Sequence, residues 1–468
     1  MTPPSTPSGW PSFWVASIAA FLVSLDGTLL FAAFSALREG FPSATPGELS
    51  WVLNGYTVVY AAMLIPAGGL ADRYGRKRVF LCGVALFLAA SALCGLSGSV
   101  TQLVAARVLQ AIGAALLMPS SLALVLGAFP ISQRALVVGA WGGVGALAAA
   151  AGPGFGAWIV DVLGWQWAFY LNLPLGIATI YWGVRILRET DPPTTQRPLD
   201  WIGSLLLIMS VGAIALSIVQ SRAPEWSPDR LGWVAGLGVI ALVALVAWLS
   251  LAHEPLVPPE LFRNRTYRAA NFAALAFGIA FSMMFFAFFV FLMQIWGYDL
   301  PTAGLAITPG PLIVAPAAVA TGRLASRYGH RNYLLGGSLL YAASGLWFVL
   351  VPTSEPRYWV DCFPGLILSG ISIGVVMPSI AGAAVAHLPA AHYGVGSAFN
   401  QAIRQIGSVL GVALTVLLIG KASVTMVDFK WLYSIHVGLS LTVAAVALAI
   451  QTRPDIVPQK LGAPRAIS

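Results

Sequence analysis

Charge is the scarcest thing in this sequence. Asp, Glu, Lys and Arg together make up 9% of its 468 residues, against about 25% in an ordinary globular chain. Hydrophobic residues reach 58%, more apolar surface than a water-soluble fold can hide, so lipid is the expected solvent. Cysteine is almost missing: Cys82 and Cys94 share one apolar run and Cys362 stands near the start of another. That spacing builds neither a disulfide framework nor a metal site, and all three read as packing residues. No Gly-rich loop ending in Lys-Ser/Thr is present, which argues against ATP as a driving force. Gly370-Ile371-Ser372-Ile373-Gly374 spells the nucleophile-elbow pattern, but it lies inside an apolar run without the strand-turn-helix setting that chemistry needs. His387, His392 and His436 are isolated and read as packing or surface residues. Neither an enzyme, a metal nor a cofactor is expected.

What is present is a long series of apolar runs. Taking about 20 residues per crossing, fourteen are counted: 13–35, 50–71, 79–98, 102–128, 136–160, 166–187, 201–220, 231–252, 269–296, 303–325, 333–351, 360–386, 394–420 and 431–451. The count is even, so both termini share a side. Met1 to Ser12 is polar, holds no basic residue and leads into a run without a cleavage site, so no removable signal peptide is expected. The net charge of +8 is spread over the loops and does not form a patch for nucleic acid. Seventeen of the 25 basic residues lie on the face that holds the termini, and six, from Arg38 to Lys430, on the other. By the positive-inside rule the first face is cytoplasmic. A multi-pass protein of the cytoplasmic membrane follows, surrounded by the lipid bilayer and expected to act as a monomer.

A short basic loop occurs twice. Gly68-Gly69-Leu70-Ala71-Asp72-Arg73-Tyr74-Gly75-Arg76-Lys77-Arg78 is echoed by Gly322-Arg323-Leu324-Ala325-Ser326-Arg327-Tyr328-Gly329-His330-Arg331, and Met118-Pro119-Ser120 by Met377-Pro378-Ser379. Each loop is too charged for lipid and joins two apolar runs. A parallel repeat of this kind predicts an all-α integral membrane protein of two pseudo-symmetric six-helix bundles that rock about a central site. Counting the offset in spans assigns 13–187 to the first bundle and 269–451 to the second. The inserted pair of helices with its linkers takes 188–268, and 452–468 is a cytoplasmic tail.

These motifs resemble the major facilitator superfamily, in particular its fourteen-helix drug:proton antiporter branch, and the resemblance covers nearly the whole chain. Gly69, Asp72, Arg73, Gly75 and Arg76 match the superfamily loop between helices two and three. Leu25-Asp26-Gly27-Thr28 is similar to the branch's first-helix motif, without the asparagine and proline that usually follow. Arg107-Val108-Leu109-Gln110-Ala111-Ile112-Gly113 resembles the fourth-helix motif. The stretch from Gly145 through Gly152-Pro153-Gly154-Phe155-Gly156 resembles the fifth-helix antiporter motif, and Gly164 to Asn172 the opening of helix six. The resemblance implies the major facilitator fold and a proton gradient as energy source, with protons and a small amphiphilic compound as the moving partners.

The residues carry their own physical reading. Asp26 is the acid that falls well inside a span. A carboxylate there costs about 2.5–3.5 kcal/mol on insertion scales and must face a cavity, find a partner or take up a proton. Arg107 is the natural partner, since span one runs outward and span four inward and both residues then fall in the outer half. The pair serves either as a proton-coupling device or as a fixed tie between helices. Arg404, in Asn400-Gln401-Ala402-Ile403-Arg404-Gln405, either contacts substrate or clamps backbone carbonyls of the opposite bundle. Asn54, Tyr56, Gln110, Asn400 and Gln401 are the other candidate substrate contacts, with aromatic and Met residues of spans two and nine as adaptable apolar surface. With two arginines and one acid, the lining suits neutral, zwitterionic or weakly acidic amphiphiles better than dications. Gly139 and Gly143, then Gly152 and Gly156, like Gly407 and Gly411, stand at four-residue spacing and offer close helix contact, either static or sliding against the other bundle. Pro153 permits a bend. The Asp72 loop is either a charged anchor or a latch in which Asp72 accepts hydrogen bonds from a neighbouring helix N-terminus.

Three functions remain open on these grounds. One is a proton-coupled exporter of drugs or antibiotics. Another is the same fold moving one endogenous lipid, siderophore or secondary metabolite. The third is a membrane sensor that does not transport.

Overall fold

A computed structural model of the chain describes residues 9–130, 134–189, 200–222, 226–252, 255, 257–388, 393–420 and 424–452. Every regular element among them is helical. Thirteen helices are long and apolar enough to cross a membrane. The fourteenth crossing, span six, is divided: Trp167–Tyr170 is followed by Asn172–Ile186. Pro174 explains the division, because it lacks the N–H that would bond back to Tyr170 and its ring crowds that carbonyl. Span ten is split in the same way into Leu300–Ile307 and Pro309–Tyr328, and span twelve into Tyr358–Asp361 and Phe363–Val385.

The remaining crossings run Trp10–Gly40, Pro46–Tyr74, Arg76–Gly95, Val100–Gly127 and Arg134–Ala151 for spans one to five. Span five continues through a π-turn, Gly152–Gly156, into Ala157–Leu163. Spans seven and eight are Trp201–Val219 and Pro228–Leu251, and span nine is Arg265–Gln294. Spans eleven, thirteen and fourteen are His330–Leu350, Tyr393–Ile419 and Met426–Ala447. Local chemistry starts them where the polar loops end. Thr45 and Glu48 form a reciprocal cap on span two, and the side chains of Ser99, Asn264 and Asp299 accept backbone N–H groups that open spans four, nine and ten.

Packing repeats with a shift of eight spans. In the first half, span one lies against four, five and six, and span four against two and three; spans three and six also touch. In the second half, nine lies against thirteen and fourteen, twelve against ten and eleven, and eleven against fourteen. The two largest contacts between the halves, two with thirteen and five with ten, also exchange under the shift. Phe80, Phe87, Tyr60 and Leu117 lie at the heart of the first half and Phe277, Tyr341, Phe429 and Val443 in that of the second, while Leu29, Leu53 and Phe169 of the first half join the same core cluster as the second.

Spans seven and eight form a hairpin outside this plan. Span seven touches both span two and span thirteen, and so bridges the halves at one seam, while span eight packs mainly on span seven.

The signature loops share a basic face; the opposite face is called far here. In the far half of the membrane the two bundles meet through aromatic rings. Phe31 lies 5.5 Å from Phe285, and Phe34 edges onto Phe286 at 4.8 Å. The Ser35 hydroxyl donates to the Met293 sulfur at 3.2 Å.

Candidate functional site

Asp26 lies in the middle of span one, and five spans converge on it. Arg107 and Gln110 are one turn apart on span four, so both project toward span one. The Arg107 guanidinium donates to Asp26 Oδ2 at 2.6 Å and to Gln110 Oε1 at 2.5 Å, and its Nε donates to the Val52 carbonyl of span two at 3.1 Å. The Gln110 amide donates to Asp26 Oδ1 at 2.9 Å and to the Ser91 hydroxyl of span three at 2.8 Å. Asn172, at the restart of span six, donates to Asp26 Oδ1 at 3.2 Å. Three side chains thus aim N–H donors at one carboxylate, and the ion pair is sealed, with each side chain 1% exposed. The Tyr56 ring covers the guanidinium at 4.0 Å, and Phe169 stands 5.8 Å away.

Asp26 therefore faces the interior of the first bundle and not the acyl chains. Ser91 and Asn172 are not among the residues singled out from the sequence. Asn172 does close the stretch that resembles the opening of helix six, which was the only trace of it. Gln110, expected beside substrate, is a partner of the carboxylate, because a residue three positions after Arg107 shares its face.

The other candidates are dispersed. Tyr56 belongs to the same cluster as Arg107, and its hydroxyl finds no partner. Asn54 is fully buried, with neither amide atom bonded. It lies one turn before Val58, which packs on Val211 of span seven and Val409 of span thirteen. Asn400 turns into the second bundle, donating to Asn271 Oδ1 at 3.1 Å. Gln401 and Arg404 lie on span thirteen where it meets span two: Tyr60 stands beside both, and Ala402 and Ile406 pack into the same cluster as Tyr60. Of the aromatic surface on span nine, Phe288 packs on Phe348 within the second bundle, while Phe285 meets span one.

The glycine-rich segment of span five divides its work. A Cβ on Gly145 would meet Ser24, one on Gly152 would strike Thr28, and one on Gly156 Leu29, all on span one of the same bundle. The contact with the opposite bundle is made between them, where the Pro153 carbonyl and Gly154 lie against Gly304 and Thr308 of span ten. Gly407 and Gly411 press on the backbone of span nine, within the second bundle. Among these glycines it is Gly154 of the π-turn that faces the other bundle, while the helices on either side of it also lie along span ten.

In the signature loop, Gly69 is still helical and Arg73 is exposed beside the Tyr74 ring. Gly75 alone separates spans two and three, with φ of 100°, a conformation that favours glycine. Arg76 opens span three. The Asp72 side chain lies outside the described residues. The carboxylate seen at that helix start belongs to Glu189, just beyond span six. It accepts the backbone N–H groups of Lys77 and Arg78 at 3.0 and 3.2 Å. The second half repeats the arrangement with Gly329, φ 87°, and the Thr452 hydroxyl, which accepts the His330 N–H at 2.6 Å.

The family model described as the Major Facilitator Superfamily matches residues 16–412, with a second match over 272–466. This chain belongs to the major facilitator superfamily. It is 32% identical to the tetracenomycin C resistance and export protein of Streptomyces glaucescens over 425 residues, which is 90% of this chain and 78% of that one. The methylenomycin A resistance protein of Streptomyces coelicolor is 31% identical over 84% of this chain and 82% of its own. The multidrug transporter protein MdtP of Bacillus subtilis is 28% identical over 96% and 83%. The human organic anion transporter MFSD10 superposes with a TM-score of 0.64 over 95% of this chain and all of its own, at 14% identity, a likeness of fold alone. As a superfamily member the chain is a multi-pass membrane transporter, and the ion pair at Asp26 lies in the first of its two bundles.

Proposed function

We propose that the chain is a proton-coupled antiporter that exports small amphiphilic compounds, drugs or antibiotics, across the cytoplasmic membrane by alternating access. The basic face is cytoplasmic in this reading, as the positive-inside rule demands. One observation carries it: a carboxylate buried inside a transporter bundle is tied by Arg107, Gln110 and Asn172 to spans four and six. Adding a proton to Asp26 cancels its charge and leaves Arg107 buried without a counter-charge. Removing one partner of a buried pair costs about 3–5 kcal/mol. A bias of that size shifts a two-state equilibrium by about a hundredfold or more. Protonation therefore favours a state in which the guanidinium reaches water or another anion, and return requires proton release. No metal or organic cofactor enters the cycle.

The names of the relatives support the cargo. Two of them are named for resistance to a single antibiotic, tetracenomycin C or methylenomycin A, and one for multidrug transport. The single-antibiotic names also favour the second reading, an exporter devoted to one secondary metabolite.

The test uses purified protein in liposomes with a pH-sensitive dye inside. Addition of a transported antibiotic should move protons through the wild type and not through Asp26→Asn, which should still insert in the membrane. Equal proton movement in both would remove Asp26 from the mechanism. A growth screen against toxic compounds in an efflux-deficient host separates broad cargo from one metabolite.

A further inference from the structure

The second intramembrane arginine is placed differently from the first. Arg107 is sealed and spends its donors on a carboxylate, an amide and a backbone carbonyl. Arg404 has one protein acceptor among the described residues, Gln401 Oε1, which its Nε reaches at 3.3 Å. Ion pairs among those residues join Arg78 to Glu189, Arg107 to Asp26 and Arg357 to Asp361; none includes Arg404. A guanidinium carries five N–H donors in a planar fork, so most of this fork is unfilled. The side chain is half-buried, so part of the fork is left uncovered by the protein.

The arginine lies at the seam between the bundles. Arg404 stands on span thirteen beside Tyr60 of span two, and those two spans form one of the contacts joining the halves. Tyr60 stacks on Tyr56 at 5.8 Å with their planes 19° apart, and Tyr56 covers Arg107 at 4.0 Å. An aromatic pair thus runs from the Asp26 ion pair to the open fork. The charges of this region add up simply: Asp26 and Arg107 cancel, and Arg404 leaves one positive charge. A single planar anion completes the set, because an arginine fork matches a carboxylate in two parallel hydrogen bonds. A dication meets only repulsion there.

We propose that Arg404, oriented by Gln401, docks one carboxylate carried by an amphiphile. The proposal rests on the export reading and narrows its substrate class to monoanions. The fork holds the acid and Gln401 fixes the orientation of the fork.

The experiment measures binding of pyrene-1-butyric acid and of its methyl ester to the purified full-length chain by fluorescence anisotropy. The acid should bind the wild type about tenfold or more tightly than the ester, as a charge-assisted contact requires. In Arg404→Gln the acid should fall to the affinity of the ester, with ester binding unchanged as the sign of an intact fold. Arg404→Lys should keep part of the preference, since charge survives and the fork does not. If Arg404→Gln does not fold, the Lys variant decides, and an undiminished preference there counts against the fork. A wild type without preference for the acid, or Arg404→Gln with the full preference, overturns the proposal. Proton-driven movement of both probes without acid preference would leave export standing and remove the dock. Acid preference without any proton-linked movement would do the reverse.

Discussion

At the scale of single residues, the contrast between a filled and an unfilled polar group governs what substitution does. Asn172 supplies one of three donors to Asp26, and its loss exposes the carboxylate to an unmet acceptor. Asn172→Ala should lower stability by about 1–3 kcal/mol, seen as an earlier thermal unfolding transition in detergent; an unchanged transition would mean that Gln110 and Arg107 suffice. Asn54 is the opposite case, a buried amide without a partner among the described residues. Asn54→Leu, with the same branching and no polar atom, should raise the transition temperature. Asp26 and Arg107 could be read from the sequence because a charge in an apolar run has few reasons to be there. Ser91 and Asn172 could not. Small polar residues in helices commonly bond their own backbone, as Thr179 does to Leu175 and Ser338 to Leu334, and only the assembled bundle shows which ones turn elsewhere.

Among elements, the helix ends and the seams carry the mechanics. The start of span three is held by a carboxylate from beyond span six, and the start of span eleven by a hydroxyl from beyond span fourteen. A carboxylate near a helix N-terminus is favoured by the helix dipole as well as by its hydrogen bonds. Glu189→Ala should therefore cost about 0.5–2 kcal/mol, Glu189→Gln less, and differential unfolding of the two variants in detergent checks the order. At the seam of spans five and ten, Gly304 lies against the Pro153 carbonyl, so any side chain there pushes backbone from backbone. Gly304→Leu should abolish export while leaving the protein in the membrane. Gly143→Ala, with nothing near the added carbon, should export normally. Hydropathy alone predicts the crossings and the repeated loop predicts their two-fold plan. Which glycine face meets which neighbour is not written there, since four-residue spacing is the same whether the partner lies in the same bundle or in the other.

For the molecule as a whole, the duplicated packing and the basic loops define a two-sided machine. If the basic face is cytoplasmic, a tag fused after Ser468 should be reached by an impermeant reagent only in permeabilised cells. Labelling of intact cells would invert the orientation. The inserted hairpin is the part of the plan that the duplication does not dictate; its place could be known only after folding, when span seven settled on spans two and thirteen.

Span eight has almost no duties beyond leaning on span seven, and its outer surface, Trp233, Ile240 and Val243 among it, is turned outward. That makes it a convenient handle. A rigid soluble partner grafted where spans seven and eight turn back on each other would ride on the assembly as a fiducial for electron microscopy, giving a particle made mostly of membrane helices something to be aligned by.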